Sequence, residues 1–362
     1  MIIYFAMYVL LTILAILCFY IPIFDKNKAI KLFCGFAFTC LFLMIGLRSP
    51  LMGTDLLYGS EYGYLGTYKS IANMNWKEIF TTNVANYEKG YVIFNKILSY
   101  ISTNPQFLLI VCALICGISV SYFIYKNSKL PFLSTIIYLG LPCFLINFSG
   151  LRQALAIAIT LFAVPFIQKK KIIPFVLIVI FASFFHLSAI IFLLAYPVYY
   201  IKSEKVTIAI SIGVIPVLYI FRYPVFELLS KFFKENVVLE NNSSLTLFLV
   251  FFAIYIFTIL LGHQNDSKEV GYRNLFWLAC FCQTFSGVYS LAMRVGYYFM
   301  VYLVLLLPEV LSIKNENSSL MQKRIKIILY IIILICFATF GFYSLYKESW
   351  AMTNPYHFFW EN

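Results

Sequence analysis

Residues 105–125 read PQFLLIVCALICGISVSYFIY, an uncharged stretch that ends directly before Lys126. A helix needs about 20 consecutive apolar residues to cross the hydrocarbon core of a bilayer, so this stretch predicts a membrane span. The whole chain of 362 residues is 62% hydrophobic and 12% charged, with a mean hydropathy of +0.87. A soluble domain is about half apolar and about a quarter charged. The sequence therefore predicts an all-α, polytopic integral membrane helical bundle, with residues 1–362 in a single transmembrane domain.

The same criterion gives about twelve candidate spans, several of them short. They are residues 2–23, 29–47, 105–125, 131–147, 151–168, 172–186, 187–201, 206–221, 245–262, 273–291, 295–313 and 325–346. The first span lacks a positively charged leading region and a small-residue cleavage site. We therefore expect a retained span rather than a signal peptide.

The breaks between the spans predict an orientation. Sixteen of the 27 Lys and Arg residues fall in alternate short breaks, within residues 26–31, 126–129, 169–171, 202–205, 268–273 and 314–326. Lys and Arg in short loops mark the cytoplasmic side of a membrane protein. The opposite breaks and both termini are therefore predicted to lie outside. This bias also accounts for the formal charge of +12, so no nucleic-acid partner is expected.

Three longer polar regions fall on the predicted outer side: residues 48–104, residues 222–244 and the tail 347–362. Within the first region, residues 90–103 are moderately apolar and carry Asn95 and Lys96 at their centre. We interpret them as an amphipathic or re-entrant helix of the outer loop, because a full crossing would reverse the side of later basic breaks.

Residues 172–201 are too long for one span, about 45 Å as a helix. Basic residues flank both ends, so the stretch predicts a hairpin that turns outside near His186.

No metal or cofactor is expected from the sequence. All nine cysteines lie inside apolar stretches, which indicates small buried residues and no disulfide framework. Cys112 and Cys116 share a helix face, but no His or carboxylate lies nearby in sequence to complete a metal site. The H-E-x-x-H, Walker A, GxSxG and CxxC motifs are absent, so metalloprotease, ATPase and α/β-hydrolase functions have no support.

Six polar residues map to the predicted outer face: Arg48, Asp55, Glu88, Arg152, His186 and Arg294. The first three have ordinary structural interpretations. Arg48 ends the second span, where a cation favours the helix dipole. Asp55 lies in the turn-like Gly53-Thr54-Asp55. Glu88 precedes a helix whose first turn favours a carboxylate.

Arg152 is a sharper candidate because it lies in the first turn of a span, with Ser149 as the expected N-cap. The helix dipole is positive there, so an Arg has the wrong sign for helix stability. It has the right sign for an anion, which helix amides and a guanidinium can hold together. Gln153 would add a hydrogen bond. We therefore predict that Arg152 and Gln153 bind a phosphate or pyrophosphate.

His186 and Arg294 leave two interpretations each. His186 is embedded in an apolar run and is either a general base or a His satisfied by a backbone carbonyl. Arg294 is either a snorkelling side chain or a second phosphate ligand. Together the six residues favour a site where Arg side chains hold a phosphate group and a carboxylate or His deprotonates a hydroxyl.

These residues resemble, in order along most of the chain, the EpsG branch of Wzy-type polysaccharide polymerases. The similar segments are Arg48 with Gly53-Thr54-Asp55, Glu88-Lys89-Gly90-Tyr91, Leu151-Arg152-Gln153-Ala154-Leu155-Ala156, Phe185-His186-Leu187-Ser188-Ala189, Arg294 and Asn354-Pro355-Tyr356. The Arg-Gln-x-x-Ala and Phe-His-x-Ser-Ala pieces are the most specific.

The resemblance implies a GT-C-like, metal-independent glycosyltransferase at the periplasmic or extracellular face of the bacterial cytoplasmic membrane. Such an enzyme transfers a growing glycan from undecaprenyl pyrophosphate to a new lipid-linked repeat unit, which builds an O-antigen, a capsule or an exopolysaccharide. Donor and acceptor are then both undecaprenyl-pyrophosphate-linked glycans, and a separate chain-length regulator is an expected partner.

The resemblance also suggests roles for the candidate residues. Arg152 and Arg294, followed by Arg48, are the expected pyrophosphate ligands. His186, Glu88 or Asp55 is the expected base, with His186 and Glu88 ranked before Asp55.

Three other functions stay open. A flippase or transporter of the same lipid-linked oligosaccharide commonly shows internal repeats and polar residues in broken helices at the midplane. No repeat is visible, and the polar set lies at one face, which favours the enzyme. An acyltransferase would need a route for a cytoplasmic acyl donor, and the cytoplasmic breaks are short. A glycan ligase uses the same donor chemistry, and the sequence barely separates it from a polymerase.

Overall fold

The computed structural model describes residues 2–57, 63–230, 239–240, 245–313, 319–347 and 351–361, without the side chain of residue 290. This part of the chain is helical and contains no β-strand, which confirms the predicted all-α membrane fold. An isolated antiparallel bridge joins Arg48 to Phe358.

The α-helices are named here in chain order. They are α1 (Ile2–Phe19), α2 (Lys26–Gly46), α3 (Tyr64–Asn73), α4 (Trp76–Thr81), α5 (Lys89–Ser99), α6 (Pro105–Asn127), α7 (Pro131–Gly140), α8 (Pro142–Ser149), α9 (Leu151–Leu161), α10 (Val164–Gln168), α11 (Ile172–Ser183), α12 (Ala195–Tyr199), α13 (Lys205–Ile220), α14 (Arg222–Ser230), α15 (Leu245–Leu261), α16 (Ser267–Thr284), α17 (Ser290–Met300), α18 (Leu303–Leu311) and α19 (Leu320–Tyr346). Two 3-10 helices cover Thr54–Leu56 and Leu187–Leu194.

Local sequence signals fix several helix starts. Asn104 caps α6 by accepting a hydrogen bond from the backbone N–H of Gln106 at 2.9 Å, and Pro105 occupies the first helical position. Asp25 caps α2 through the backbone N–H groups of Asn27 and Lys28. These caps satisfy amide groups that have no carbonyl partner at a helix start.

By length and composition, fewer helices can cross a membrane than the twelve spans predicted from the sequence. Among the described residues five are long and apolar enough, or up to eight if each bent pair is one span. The bent pairs are α7 with α8, α13 with α14, and α17 with α18. The first pair bends by 62° at Leu141, where Pro142 begins the next helix, because proline has no amide hydrogen to continue the preceding one.

Three further predicted spans correspond to shorter apolar helices: Ile172–Ser183, Leu187–Tyr199 and Leu245–Leu261. The predicted break near His186 is present, since α11 ends at Ser183. The span predicted over residues 273–291 begins earlier in the structure. Its helix, α16, starts at Ser267 and carries Glu269 and Arg273 in its first turns. Their buried side chains form an ion pair at 2.8 Å, which satisfies both charges within the helix.

The amphipathic helix expected over residues 90–103 is α5, whose buried positions include Tyr91, Val92 and Leu98. In the region 222–244, which is predicted to lie outside, residues 222–230 form α14, while residues 231–238 and 241–244 are not among the described residues. The described tail segment, 351–361, is tied to α2 by a 2.9 Å hydrogen bond from the Tyr356 hydroxyl to the carbonyl of Met44.

The contacts divide the chain into two compact units. Unit 1 comprises Met1–Ile190 and Asn317–Asn362, and unit 2 comprises Ile191–Glu316. In unit 1, α6 packs against α2 and α9, and α9 packs against α11. In unit 2, α16 packs against α15, α17 and α18. The single transmembrane domain stays a prediction.

All nine cysteines are free, and six of them are buried.

Candidate active site

One carboxylate in unit 1 joins two of the predicted functional residues. The Oε2 atom of Glu88 accepts a hydrogen bond from Nη1 of Arg152 at 2.6 Å. Its Oε1 atom lies 3.0 Å from Nδ1 of His186 and accepts a hydrogen bond from the backbone N–H of Leu187 at 2.9 Å. Residues that are 64 and 98 positions away from Glu88 in sequence thus meet at a single side chain.

Glu88 reaches this position because it stands directly before α5. It occupies the N-cap position, but its side chain makes no capping hydrogen bond. Glu88 therefore stands at the helix start, as its sequence position suggested, but its carboxylate turns away to Arg152 and His186.

A close contact at Gly90 brings the start of α5 to the end of α11. A Cβ atom on Gly90 would lie 2.6 Å from the Cβ and the carbonyl oxygen of Phe184. The backbone N–H of Tyr91 donates to that carbonyl at 3.2 Å. Any side chain at position 90 would separate the two segments, and with them Glu88 from His186.

Two tyrosines hold the Arg152 guanidinium. It lies 4.3 Å from the centre of the Tyr87 ring, a cation–π distance. Its Nε atom donates to the hydroxyl of Tyr64 at 3.3 Å. The two rings stack with their centres 5.3 Å apart. These contacts fix the guanidinium on one side while Glu88 fixes it at Nη1.

The electrostatics of the cluster keep Glu88 ionised. Burial alone would raise the pKa of Glu88, but hydrogen bonds from His186 and Leu187 and the charge of Arg152 outweigh it and lower the pKa to about 2. A carboxylate with so low a pKa is a poor proton acceptor at neutral pH. Glu88 is suited instead to orient His186 and to balance the charge of Arg152.

Two nitrogen atoms of the cluster make no hydrogen bond to another described residue: Nη2 of Arg152 and Nε2 of His186. The side chains of Glu88, Arg152 and His186 are 18%, 20% and 27% exposed. They are partly desolvated, and a bound molecule can reach them. When Nδ1 of His186 donates its proton to Glu88, Nε2 carries a lone pair and can accept a proton from a substrate.

The Gly53-Thr54-Asp55 segment lies against the turn that precedes Arg152. The hydroxyl of Ser149 accepts a 3.1 Å hydrogen bond from the backbone N–H of Thr54, and the two hydroxyls are also 3.1 Å apart. The N-cap of α9 is Gly150, so the expected capping role of Ser149 is wrong. Gly53 has a φ of +117°, and a Cβ there would lie 2.1 Å from the carbonyl oxygen of Phe148.

Asp55 is half-buried in the 3-10 helix Thr54–Leu56. Burial raises the pKa of Tyr64 to about 12; Arg152 opposes this shift and the charge of Asp55 adds to it. Asp55 therefore acts electrostatically on the tyrosines around Arg152. The structure describes no hydrogen bond from Asp55 to His186 or Arg152.

Arg48 does not match its predicted role as a pyrophosphate ligand. The side chain is fully buried, and Nη2 donates to the carbonyls of Asn147 and Phe148 at 3.1 Å each. Nη1 donates to the carbonyl of Ile45, and Nε lies 3.4 Å from that of Met52. Since every guanidinium nitrogen faces a backbone carbonyl, Arg48 stabilises the fold between α2 and α8.

The sequence also predicts Gln153 and Arg294 as ligands. Gln153 is buried in α9, one position beyond Arg152. Arg294 lies half-buried on α17 in unit 2. Their roles as pyrophosphate ligands stay predictions.

Local sequence patterns do not single out Tyr64 and Tyr87 as functional residues. Lys89, next to Glu88 in sequence, points away from the cluster: its ammonium donates to the carbonyls of Ile79 and Thr82, at 2.9 and 2.6 Å, and closes the end of α4. In the described part of the chain, no three His, Cys, Asp or Glu side chains are placed to hold a metal ion.

Comparison with known proteins identifies a family for the chain. The EpsG family matches residues 31–358, a range that includes every residue of the cluster and most of the chain. No curated protein and no solved structure matches the sequence. Because the match covers far more than half of its length, the chain belongs to the EpsG family.

Proposed function

We propose that this protein polymerises lipid-linked oligosaccharide repeat units into a surface polysaccharide at the outer face of the bacterial cytoplasmic membrane. Membership in the EpsG family supports a glycosyltransferase-like polysaccharide polymerase in general. The apolar helices support a multi-pass membrane protein. The donor, the side of the membrane and the mechanism are our proposals.

The observation that carries the proposal is the shared carboxylate of Glu88. It holds the guanidinium of Arg152 at 2.6 Å and the imidazole of His186 at 3.0 Å. An anion-binding group and a proton acceptor are therefore fixed relative to each other. Glycosyl transfer from a pyrophosphate donor requires both groups, because a hydroxyl must lose a proton while a pyrophosphate leaves.

In the proposed reaction, the acceptor hydroxyl of the new repeat unit attacks the anomeric carbon of the growing chain. Nε2 of His186 accepts the hydroxyl proton as the new carbon–oxygen bond forms. The bond from the anomeric carbon to the phosphate oxygen breaks, and its electron pair leaves with undecaprenyl pyrophosphate. Glu88 stabilises the imidazolium that results and keeps Nδ1 as the donor.

Arg152 would bind the leaving pyrophosphate through Nη2. Arg152 lies in the first turn of α9, where backbone N–H groups have no partner within the helix. Both features favour negative charge on the phosphate oxygens. Arg294 and Gln153 remain proposed further ligands, whereas Arg48 is left out because its guanidinium is enclosed by carbonyls.

The test is reconstitution of the purified protein in lipid vesicles with a radiolabelled undecaprenyl-pyrophosphate-linked repeat unit. We expect a ladder of longer lipid-linked glycans and release of undecaprenyl pyrophosphate, with EDTA present or absent. Transfer of one unit to a different acceptor would instead identify a ligase. Movement of the lipid-linked unit across the membrane without new glycosidic bonds would identify a flippase, and a product changed only by an acyl group would identify an acyltransferase.

A matched pair of variants links the reaction to the cluster. Arg152→Ala should abolish the ladder while the protein still inserts. Arg324→Ala, which removes an exposed guanidinium from the start of α19, should leave it intact. Long chains made by Arg152→Ala at normal protein levels would contradict the assigned role.

A further inference from the structure

An exposed apolar surface runs along α4 and the C-terminal half of α5. It comprises Trp76, Phe80, Ile97, Tyr100 and Ile101, and is called here the α4–α5 aromatic face. The exposed fractions are 40% for Trp76, 61% for Phe80, 52% for Ile97, 66% for Tyr100 and 71% for Ile101. Trp76 lies against both other rings, 6.2 Å from Phe80 and 6.4 Å from Tyr100 between ring centres.

The spacing of these residues shows that the face is a continuous stripe. Tyr100 and Ile101, directly after α5, follow Ile97 by three and four positions, and Trp76 and Phe80 are four positions apart on α4. Residues with this spacing lie on one side of a helix. An exposed stripe of large apolar residues is unusual for a surface that faces water.

Other side chains of both helices are packed inside unit 1. Ile79 of α4 and Val92 of α5 are fully buried in a small core with Ile71 and Val84. The ammonium of Lys96 donates to the carbonyl of Ala72 at 2.9 Å, which ties α5 to the end of α3. The helices are therefore fixed in unit 1 with the aromatic face turned outward.

The position of the face along the chain indicates what covers it. Ile101 precedes Pro105 by four residues, and Pro105 begins α6, a 23-residue helix long and apolar enough to cross a membrane. The face therefore lies at the level where a span enters the bilayer. Trp and Tyr are enriched at that level, where an apolar ring and a polar edge are both satisfied.

We propose that the α4–α5 aromatic face binds the lipid surface, with its side chains inserted at the boundary between head groups and acyl chains. The ammonium of Lys96, which is buried on the inner side of α5, lies 5.1 Å from the centre of the Tyr100 ring. This cation–π contact holds the Tyr100 ring in the face.

This contact has a consequence for the active site, which rests on the proposed function. α5 begins directly after Glu88 and rises about 16 Å over its eleven residues. A membrane contact at its C-terminal half would hold Glu88 within about 16 Å of the lipid surface. A lipid-linked substrate would present its pyrophosphate at that surface.

The test is fluorescence quenching by lipids brominated on their acyl chains. A chain with Trp76 as its single tryptophan is made by the changes Trp277→Phe, Trp350→Phe and Trp360→Phe. Its emission in brominated vesicles should fall at least about twofold relative to unbrominated vesicles. The matched control adds Trp76→Phe and Thr81→Trp, because exposed Thr81 lies on another side of α4, and should show much weaker quenching.

Equal quenching at the two positions, or none at Trp76, would overturn the proposal. A second measurement leaves the tryptophans unchanged and places a photoreactive phenylalanine at Tyr100. Crosslinks to phospholipid support the proposal, whereas crosslinks to glycan or to a second copy of the chain overturn it. Neither measurement depends on polymerase activity, so this proposal and the proposed function can fail separately.

Discussion

Glu88→Gln is the perturbation that most directly separates the roles of the cluster. The side chain keeps its shape but loses its charge. A glutamine amide has one acceptor oxygen and one donor nitrogen. Glu88 accepts hydrogen bonds through both oxygens, from Arg152 on one side and from His186 and Leu187 on the other. Glutamine must therefore present its NH2 group to Arg152 or to His186.

Either orientation harms the reaction. An NH2 group toward His186 makes Nδ1 an acceptor and moves the proton to Nε2, the atom proposed to act as base. An NH2 group toward Arg152 leaves two donors in contact. A positioned general base contributes about 10²- to 10⁴-fold to a rate, and each factor of ten corresponds to 1.36 kcal/mol. We therefore expect the rate constant for transfer to fall by about 10²- to 10⁴-fold, or about 3–5 kcal/mol.

The assay is single-turnover transfer from radiolabelled lipid-linked donor at saturating concentration, with the folded protein quantified in the same sample. Glu361→Gln is the matched control, because Glu361 also faces a histidine, with its carboxylate 3.4 Å from Nδ1 of His357, but on the exposed tail. The control should retain the wild-type rate. A Glu88→Gln rate within threefold of wild type would refute the role of Glu88 in orienting His186.

Three further predictions follow from the same contacts. Arg152→Lys should reduce the rate of transfer by tenfold or more, because an ammonium cannot bond to Glu88, contact Tyr64 and bind a phosphate at the same time. Arg324→Lys is the control, and an Arg152→Lys rate near that of the control would show that a positive charge alone is sufficient. Arg48→Met should lower the free energy of unfolding by about 3 kcal/mol, because buried carbonyls lose their donors, and leave transfer per folded molecule unchanged; thermal unfolding in detergent measures the first effect. Because the pKa of Glu88 is lowered from its ordinary value of 4.5 to about 2, the ionised carboxylate stabilises the folded protein. This stabilisation is complete above about pH 4.5 and is lost as the pH falls toward 2. The stability difference between wild type and Glu88→Gln should thus shrink below pH 4.5, and a difference unchanged down to pH 3 would contradict this pKa.

The helical membrane fold was predictable because it depends on composition. Uncharged stretches such as residues 105–125 must form helices in a bilayer, since no water satisfies their backbone groups. The number of full spans was not predictable in the same way. It depends on bends such as the one at Pro142, and a hydropathy average over about 20 residues does not detect them.

The members of the cluster were predictable one by one, but their arrangement was not. Arg152 stood out because its charge opposes the dipole of its own helix. Glu88 and His186 each had a more ordinary interpretation from local sequence. The contact that overrides those interpretations spans 98 residues and depends on the approach of Gly90 to Phe184, which no local pattern shows.

Arg48 illustrates the opposite error. Its position after a span suggested either a helix-end cation or a ligand. The carbonyls that surround it come from α8, about 100 residues away, and from the turn at Met52. Sequence near Arg48 contains no sign of that enclosure. Arg48 and Arg152 are the same residue type and differ in burial: Arg48 is fully buried, whereas Arg152 is partly exposed.

The proposed function requires the Glu88 cluster for glycan lengthening, and the glycan ladder of intact cells tests this requirement. Cells that lack the gene are complemented with wild type, Glu88→Gln or Glu361→Gln. We expect single repeat units in the deletion, a full ladder with wild type and Glu361→Gln, and single repeat units with Glu88→Gln at equal protein levels in the membrane. A full ladder with Glu88→Gln, or a deletion that still makes long chains, would contradict it.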